Sequence, residues 1–239
     1  MQKFGKEDLV IEIGPGLGTL TNELLQVAGK VICIELDERM VKILKERFFL
    51  FDNIEIINED VLKLDLNDII EKSGYKSAKI VANLPYYITT PIIMKLLEER
   101  VNLESITVMV QKEVADRLCA KTGTRDAGAI TYAVEYYSDA REIVDVPNTS
   151  FVPMPSVSSE VIMLEIRKDK YTNVKNEEML FKVIKYAFMQ RRKTLTNALQ
   201  NLGISKDRIK EMLNNLEIDE RVRGEALSLE QFIEIANLI

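Results

Sequence analysis

Leu9-Val10-Ile11-Glu12-Ile13-Gly14-Pro15-Gly16-Leu17-Gly18-Thr19 runs from a short apolar strand, through a glycine loop, into a helix over residues 19–27. Leu20, Leu24 and Val27 are spaced for one face of that helix. Working outward, residues 30–36 are a second apolar strand ending in Glu35, and Asp37 caps a helix to about Arg47. Residues 53–57 form a third strand, closed by Glu59-Asp60-Val61. A fourth strand over 78–82 breaks at Asn83-Leu84-Pro85-Tyr86-Tyr87, and Thr90 and Pro91 open the next helix, since proline suits an early helical position. Residues 105–110 are a fifth strand, followed by a helix from Lys112. Runs over 142–146 and 160–166 flank Phe151-Val152-Pro153-Met154-Pro155. Strands alternating with helices predict an α/β fold with a mostly parallel, Rossmann-like sheet.

From about Tyr171 only helices follow: one over 176–190, one over 194–202 stopped by Gly203, one opened by Ser205 and one capped by Ser228. The expected division is therefore a sheet domain over 1–170 and a small all-helical domain over 171–239.

Composition removes several classes of function. The chain of 239 residues contains no histidine, which excludes Ser-His-Asp and Cys-His triads and argues against a transition-metal site. Cys33 and Cys119 have no CxxC partner, so reduced thiols in a cytoplasmic protein are expected, with no disulfide and no metal. No apolar run reaches the roughly 18–20 residues of a membrane span, and no signal peptide is legible at the start. The net charge of −6 hides an asymmetry: residues 182–210 hold eight lysines and arginines against Asp207 alone. Read as a single helical stretch, that basic patch is compatible with phosphate binding.

A glycine loop between first strand and first helix suggests a nucleotide-like cofactor at the carboxyl end of the sheet. The spacing is G-x-G-x-G, and Pro15 removes one backbone donor that a pyrophosphate would use. S-adenosylmethionine carries no phosphate and has a cationic sulfonium, so Glu12, Glu35 and Asp60 near the strand ends favour it. Glu35 is placed to accept both ribose hydroxyls, Asp60 to accept from the adenine amino group, and the Val61 N–H to donate to the ring. After the fourth strand, Asn83 Oδ1 and the Leu84 carbonyl are two acceptors beside the flat face of Tyr86, an arrangement that suits a planar group bearing an NH2. Phe151 is the candidate second face; Tyr87 either shares in the site or packs under the loop.

With those residues placed, the chain resembles the KsgA-type family of ribosomal RNA small-subunit adenine dimethyltransferases. The resemblance rests on EIGPGLGTLT (12–21), Glu35, Glu59-Asp60-Val61, NLPYYITTPI (83–92), FVPMPSVSSEV (151–161), QRRKTLTNAL (190–199) and RGEALSLEQF (223–232), and runs through nearly all of the chain. It implies transfer of two methyl groups to each of two adjacent adenosines near the 3′ end of small-subunit rRNA, within a pre-30S particle, by a cytoplasmic monomer that does not bind membranes. It implies cofactor contacts from Glu12, Gly14, Gly16, Gly18, Glu35, Leu36, Asp60, Val61 and Asn83. Asn83, Leu84, Tyr86 and Phe151 become the expected catalytic set, and Arg191, Arg192 and Lys193 the expected RNA contacts of the helical domain. Related enzymes that dimethylate large-subunit rRNA share the catalytic motifs but usually lack the RRKTLxNxL segment; a non-catalytic binder of the pre-ribosome is the other alternative. The family usually carries a longer segment ahead of the first strand, folding over the cofactor, and Met1-Gln2-Lys3-Phe4 does not match it. Weaker cofactor binding, and even loss of turnover, is expected on that ground.

Overall fold

The computed structural model of the chain describes residues 4–168, 171–190 and 192–239. Of the stretch Met1-Gln2-Lys3-Phe4 only Phe4 lies among them, and Arg191 lies outside them. In chain order the elements are β1 (Leu9–Ile13), α1 (Thr19–Val27), β2 (Lys30–Glu35), α2 (Glu38–Arg47), β3 (Ile54–Asn58), α3 (Leu66–Lys72), β4 (Ala78–Asn83), α4 (Tyr86–Glu98), β5 (Leu103–Gln111), α5 (Lys112–Leu118), α6 (Ala129–Tyr137), β6 (Ser138–Val146), β7 (Ser159–Ile166), α7 (Glu177–Met189), α8 (Leu195–Leu199), α9 (Lys206–Asn215) and α10 (Leu229–Leu238). The sheet has the order β3-β2-β1-β4-β5-β7-β6. Its first five strands are parallel, and β7 runs antiparallel to β5.

Central position explains the apolar strand that precedes the glycine loop. β1 lies between β2 and β4 and is buried along its whole length. Burying Leu9, Val10, Ile11 and Ile13 contributes about 1.5–3 kcal/mol each. Glu12 is buried in the same strand, so it must find hydrogen-bond donors inside the fold.

Several expectations are corrected. α4 starts at Tyr86, four residues before Thr90, because extended Pro85 caps it and its carbonyl accepts from the Ile88 N–H and the Thr89 hydroxyl. Pro91 consequently sits inside the helix, where it removes the bond to the Tyr87 carbonyl; Tyr87 faces solvent, so water can take that group. α3 and α6 have no counterpart in the sequence reading. α6 (AITYAVEYY) is buried on nearly every side, which erases the one-faced periodicity that marks a helix. β6 begins at Ser138, four residues earlier than expected. The basic stretch over 182–210 is not one helix but parts of α7, α8 and α9. Two of its cations are already paired, Arg208 with Glu211 and Lys210 with Glu220.

The chain separates into two compact units, Met1–Ala115 with Ala140–Ile166, and Asp116–Asp139 with Arg167–Ile239. The sequence-based boundary near residue 170 thus leaves α6 on the sheet side, whereas the fold gives it to the helical unit. The reason is local to that unit. Tyr132 of α6 donates its hydroxyl to the Leu227 carbonyl at 2.6 Å, and its ring meets Phe232 edge-on at 5.0 Å. The α7 face formed by Leu180, Val183, Ile184 and Ala187 completes that core, with Gly224 close enough to Ala187 that a Cβ would sit 2.8 Å from the alanine methyl.

Candidate functional site

A cavity of about 440 Å³ lies at the carboxyl end of the parallel strands. Each of the first four strands delivers part of its wall: Gly14 after β1, Glu35 to Asp37 after β2, Glu59 to Val61 after β3, and Leu84, Pro85 and Tyr87 after β4. Its volume falls in the range of small-molecule sites. Its lining includes four acids, Glu35, Asp37, Glu59 and Asp60, and no lysine or arginine among the described residues. Such a wall repels phosphates and favours a cationic ligand.

The glycine loop is held from three directions. Gly14 donates to the Ile34 carbonyl at 2.9 Å, Gly16 donates to Glu35 Oε2 at 3.1 Å, and Arg47 donates to the Leu17 carbonyl at 2.7 Å. Gly14, Gly16 and Gly18 all have positive φ, which L side chains rarely adopt. Gly18 has a second reason to be glycine: an added Cβ would stand 2.5 Å from the Phe48 ring and 2.8 Å from a Leu44 methyl. Only Gly14 of the three lines the cavity; Gly16 and Gly18 shape the turn behind it.

Glu35 is nearly buried, and its carboxylate accepts from Gly16 N–H with one oxygen and from Asp37 N–H with the other. Each oxygen keeps a further lone pair, so the orientation is fixed while acceptor capacity for two hydroxyls remains. Asn58 donates to the Glu35 and Leu36 carbonyls at 2.8 and 3.2 Å, which holds the end of β2 in place. Asp60 caps a single 3-10 turn over Val61–Lys63 through Leu62 N–H at 2.9 Å. The amide of Val61, first residue of that turn, has no partner within the turn.

Glu12 does not line the cavity. It lies beneath the loop, where Oε2 accepts from the Thr21 hydroxyl at 2.5 Å and from the Cys33 thiol at 3.7 Å. Burial pushes its carboxyl above the ordinary range, and the Glu35 charge adds to the shift, while Thr21 and Cys33 oppose it. Burial and the Glu12 charge together push the Cys33 thiol up.

Asn83 is exposed at the end of β4, immediately before the cavity residues Leu84 and Pro85. Tyr86 and Tyr87 diverge. Tyr86 is half-buried and its hydroxyl meets Ser159 Oγ at 2.9 Å, whereas Tyr87 is 83% exposed and forms part of the cavity wall. Packing under the loop is therefore not its role; as the second residue of α4 it points to solvent. Phe151 follows a 3-10 turn over Asn148–Ser150 and is half-buried, with Val152 and Met154 standing out beside it. Neither Tyr86 nor Phe151 is among the cavity walls. In the helical unit, Arg192 and Lys193 are exposed in the turn after α7, shaped by Lys193 N–H donating to the Gln190 carbonyl. Sequence reasoning missed Asp37 and Glu59 as cavity residues and left Tyr87 open between the site and packing under the loop. Asp37 reads as a helix cap, which it also is, and the doubled tyrosine was the one available signal for Tyr87.

The strand order, the reversal of β7 against β5 and a glycine loop facing acids after β2 and β3 are those of a class I, Rossmann-like methyltransferase fold. A family model described as ribosomal RNA adenine dimethylase matches residues 2–239, and the chain belongs to that family. It is 49% identical over 239 residues to the ribosomal RNA small subunit methyltransferase A of Lachnoclostridium phytofermentans, covering 98% of this chain and 82% of that protein. The protein of the same name from Clostridioides difficile is 48% identical, with 99% and 83% covered. Among solved structures, a dimethyladenosine transferase from Plasmodium falciparum is 26% identical with a TM-score of 0.79, covering 97% of this chain and 90% of its own. The 23S rRNA methyltransferase ErmE shares the fold at 22% identity and a TM-score of 0.73, over 98% and 92% of the two chains.

Proposed function

We propose that this chain transfers methyl groups from S-adenosylmethionine to the 6-amino groups of two adjacent adenosines near the 3′ end of small-subunit rRNA. The observation that carries the reading is the anionic cavity, walled by acids and, among the described residues, by no basic side chain, opening beside Asn83-Leu84-Pro85-Tyr86. The names of the relatives, all small-subunit enzymes at 48–49% identity, support the choice of acceptor. The sheet unit is the cofactor and catalytic part, and the helical unit, through Arg192 and Lys193, contacts RNA. The substrate is the rRNA of a pre-30S particle, met by a cytoplasmic monomer; no helix among the described residues is long and apolar enough to cross a membrane.

The residues present fit the cofactor by the chemistry of their donor set. When bound, S-adenosylmethionine supplies an electrophilic methyl on a sulfonium sulfur. Glu35 accepts the ribose hydroxyls, while Asp60 and the Val61 amide read the adenine edge. An adenosine amino nitrogen is a poor nucleophile because its lone pair is delocalised into the ring. Asn83 Oδ1 and the Leu84 carbonyl accept its two N–H groups, favour pyramidal nitrogen and aim the lone pair toward the cavity. Their dipoles also stabilise the positive charge that develops there, and in-line positioning supplies much of the remainder. Neither acceptor is a base, so the released proton goes to solvent, in keeping with a chain without histidine. The target base must leave its stack, and Tyr86 with Phe151 offers faces worth about 1–3 kcal/mol per stacked base.

Incubation with labelled cofactor and immature small-subunit particles, naked rRNA, or large-subunit precursors tests the acceptor. Label in small-subunit RNA is expected, and label confined to large-subunit RNA overturns the reading. Asn83→Ala is expected to lower turnover by about 10²-fold or more with RNA binding nearly intact; equal loss of both would make Asn83 structural.

A further inference from the structure

We propose that Ser159 is a positioning residue that holds the Tyr86 ring in place for the target base; this rests on the reading of Tyr86 as a stacking face. The two hydroxyls meet at 2.9 Å although 73 residues separate them in sequence. Tyrosine has two rotatable side-chain bonds; a hydrogen bond at the tip of its ring holds the first, and with it the place of the ring, because the hydroxyl lies on the axis of the second. Serine is a suited anchor because its single short side chain leaves little freedom. Ser159 is also completely buried, so its hydroxyl needs a partner inside the protein.

The backbone beneath the anchor is fixed by β5. Ser159 stands opposite Gln111 in the antiparallel pair, and the preceding carbonyl, of Ser158, accepts from Lys112 N–H at 3.0 Å. The following residue, Glu160, is buried and forms an ion pair with Lys112. On its other edge β5 holds Asn83 opposite Met109, two residues before Gln111. One strand therefore sets both the amide that accepts from the target amine and the hydroxyl that anchors the ring three residues further on. The adjacent serines differ: Ser158, just before β7, is exposed, whereas Ser159, its first residue, is buried.

Steady-state methyl transfer to immature small-subunit particles, with calorimetric titration of S-adenosylmethionine, tests this on the full chain. Ser159→Ala and Tyr86→Phe are each expected to lower kcat by about two- to tenfold. Cofactor affinity should stay unchanged, and Ser158→Ala should behave as the unmodified protein. The double variant should be no slower than the worse single one, because both remove the same bond. Multiplying losses in the double variant, or a Ser159→Ala defect carried by cofactor affinity, overturns the proposal. Tyr86→Phe keeps the test decisive if Ser159→Ala fails to fold. Tyr86→Ala separates the two layers: full turnover there overturns the stacking face and the proposal with it. Loss in Tyr86→Ala beside normal turnover in both hydroxyl deletions overturns the positioning role alone.

Discussion

Thr21 Oγ1 donates to Glu12 Oε2 at 2.5 Å, joining the strand before the glycine loop to the helix after it. Thr21→Val removes the donor, leaves a buried carboxylate with the weak Cys33 thiol, and is expected to cost about 1–3 kcal/mol in denaturant unfolding. Glu12→Gln keeps an acceptor for Thr21 and removes the titration. Because burial raises the folded-state value of Glu12 above its ordinary 4.5, the folded chain holds this proton more tightly than the unfolded chain. From this group alone, stability is greatest below the unfolded value and declines as pH rises toward the folded one. The melting temperature of Glu12→Gln relative to the unmodified protein should therefore increase as pH rises above the ordinary value of 4.5. A flat difference would show that Glu12 titrates as if in water.

Two glycines with similar backbone angles should respond differently to alanine. Gly16 has open space around its Cα, so Gly16→Ala meets only the left-handed backbone cost of about 1–2 kcal/mol. Gly18→Ala adds a clash with Phe48 and Leu44 in the packed face of α2, and overpacking of that kind costs about another 1–3 kcal/mol. Chemical denaturation of the two variants checks the order; equal losses would mean the Phe48 ring moves aside freely.

Cys33 should be inert in the native state. It is fully buried, and burial together with the Glu12 charge keeps its proton in place. Alkylation followed by mass spectrometry is expected to label Cys33 only once the chain unfolds, whereas Cys119, partly exposed, reacts earlier. Native labelling of Cys33 would mean that β2 opens locally.

Replacing Arg192 and Lys193 with alanine should weaken binding to small-subunit particles without altering cofactor affinity. If each neutralises one phosphate, the slope of log affinity against log salt becomes shallower by about 0.7–0.9 per side chain. An unchanged slope would remove both residues from the RNA-contacting surface.

What was legible in the sequence was chemistry confined to a few neighbouring residues. Asp37, Ser205 and Ser228 stand at the starts of the helices expected of them, because a cap is a bond between a side chain and an amide two or three residues on. The glycine loop and the acids after β2 and β3 converge on one cavity for a similar reason: parallel strands deliver all their carboxyl ends to one edge. Direction was not legible in β7, since alternation of apolar residues reads the same both ways. Nor was the divergence of Tyr86 and Tyr87, decided by a hydroxyl on a strand far along the chain. α6 escaped notice because tyrosines and β-branched residues buried on all sides carry no periodic signature. Pro91 misplaced the start of α4 because a proline early in a helix and one at its opening differ only in what precedes them.

The reversal of β7 separates two design problems that a wholly parallel sheet would merge. A parallel strand can offer the cofactor edge only the loop that leaves it. β7 reaches the same edge with the loop that leads into it, so the segment from Pro147 to Ser158 arrives from outside the helix–strand alternation that builds the cavity. Lengthening or reshaping that segment leaves the pairing of β1 to β5 untouched. Variation in one connection can thus be accommodated while the half of the sheet that walls the cavity stays as it is.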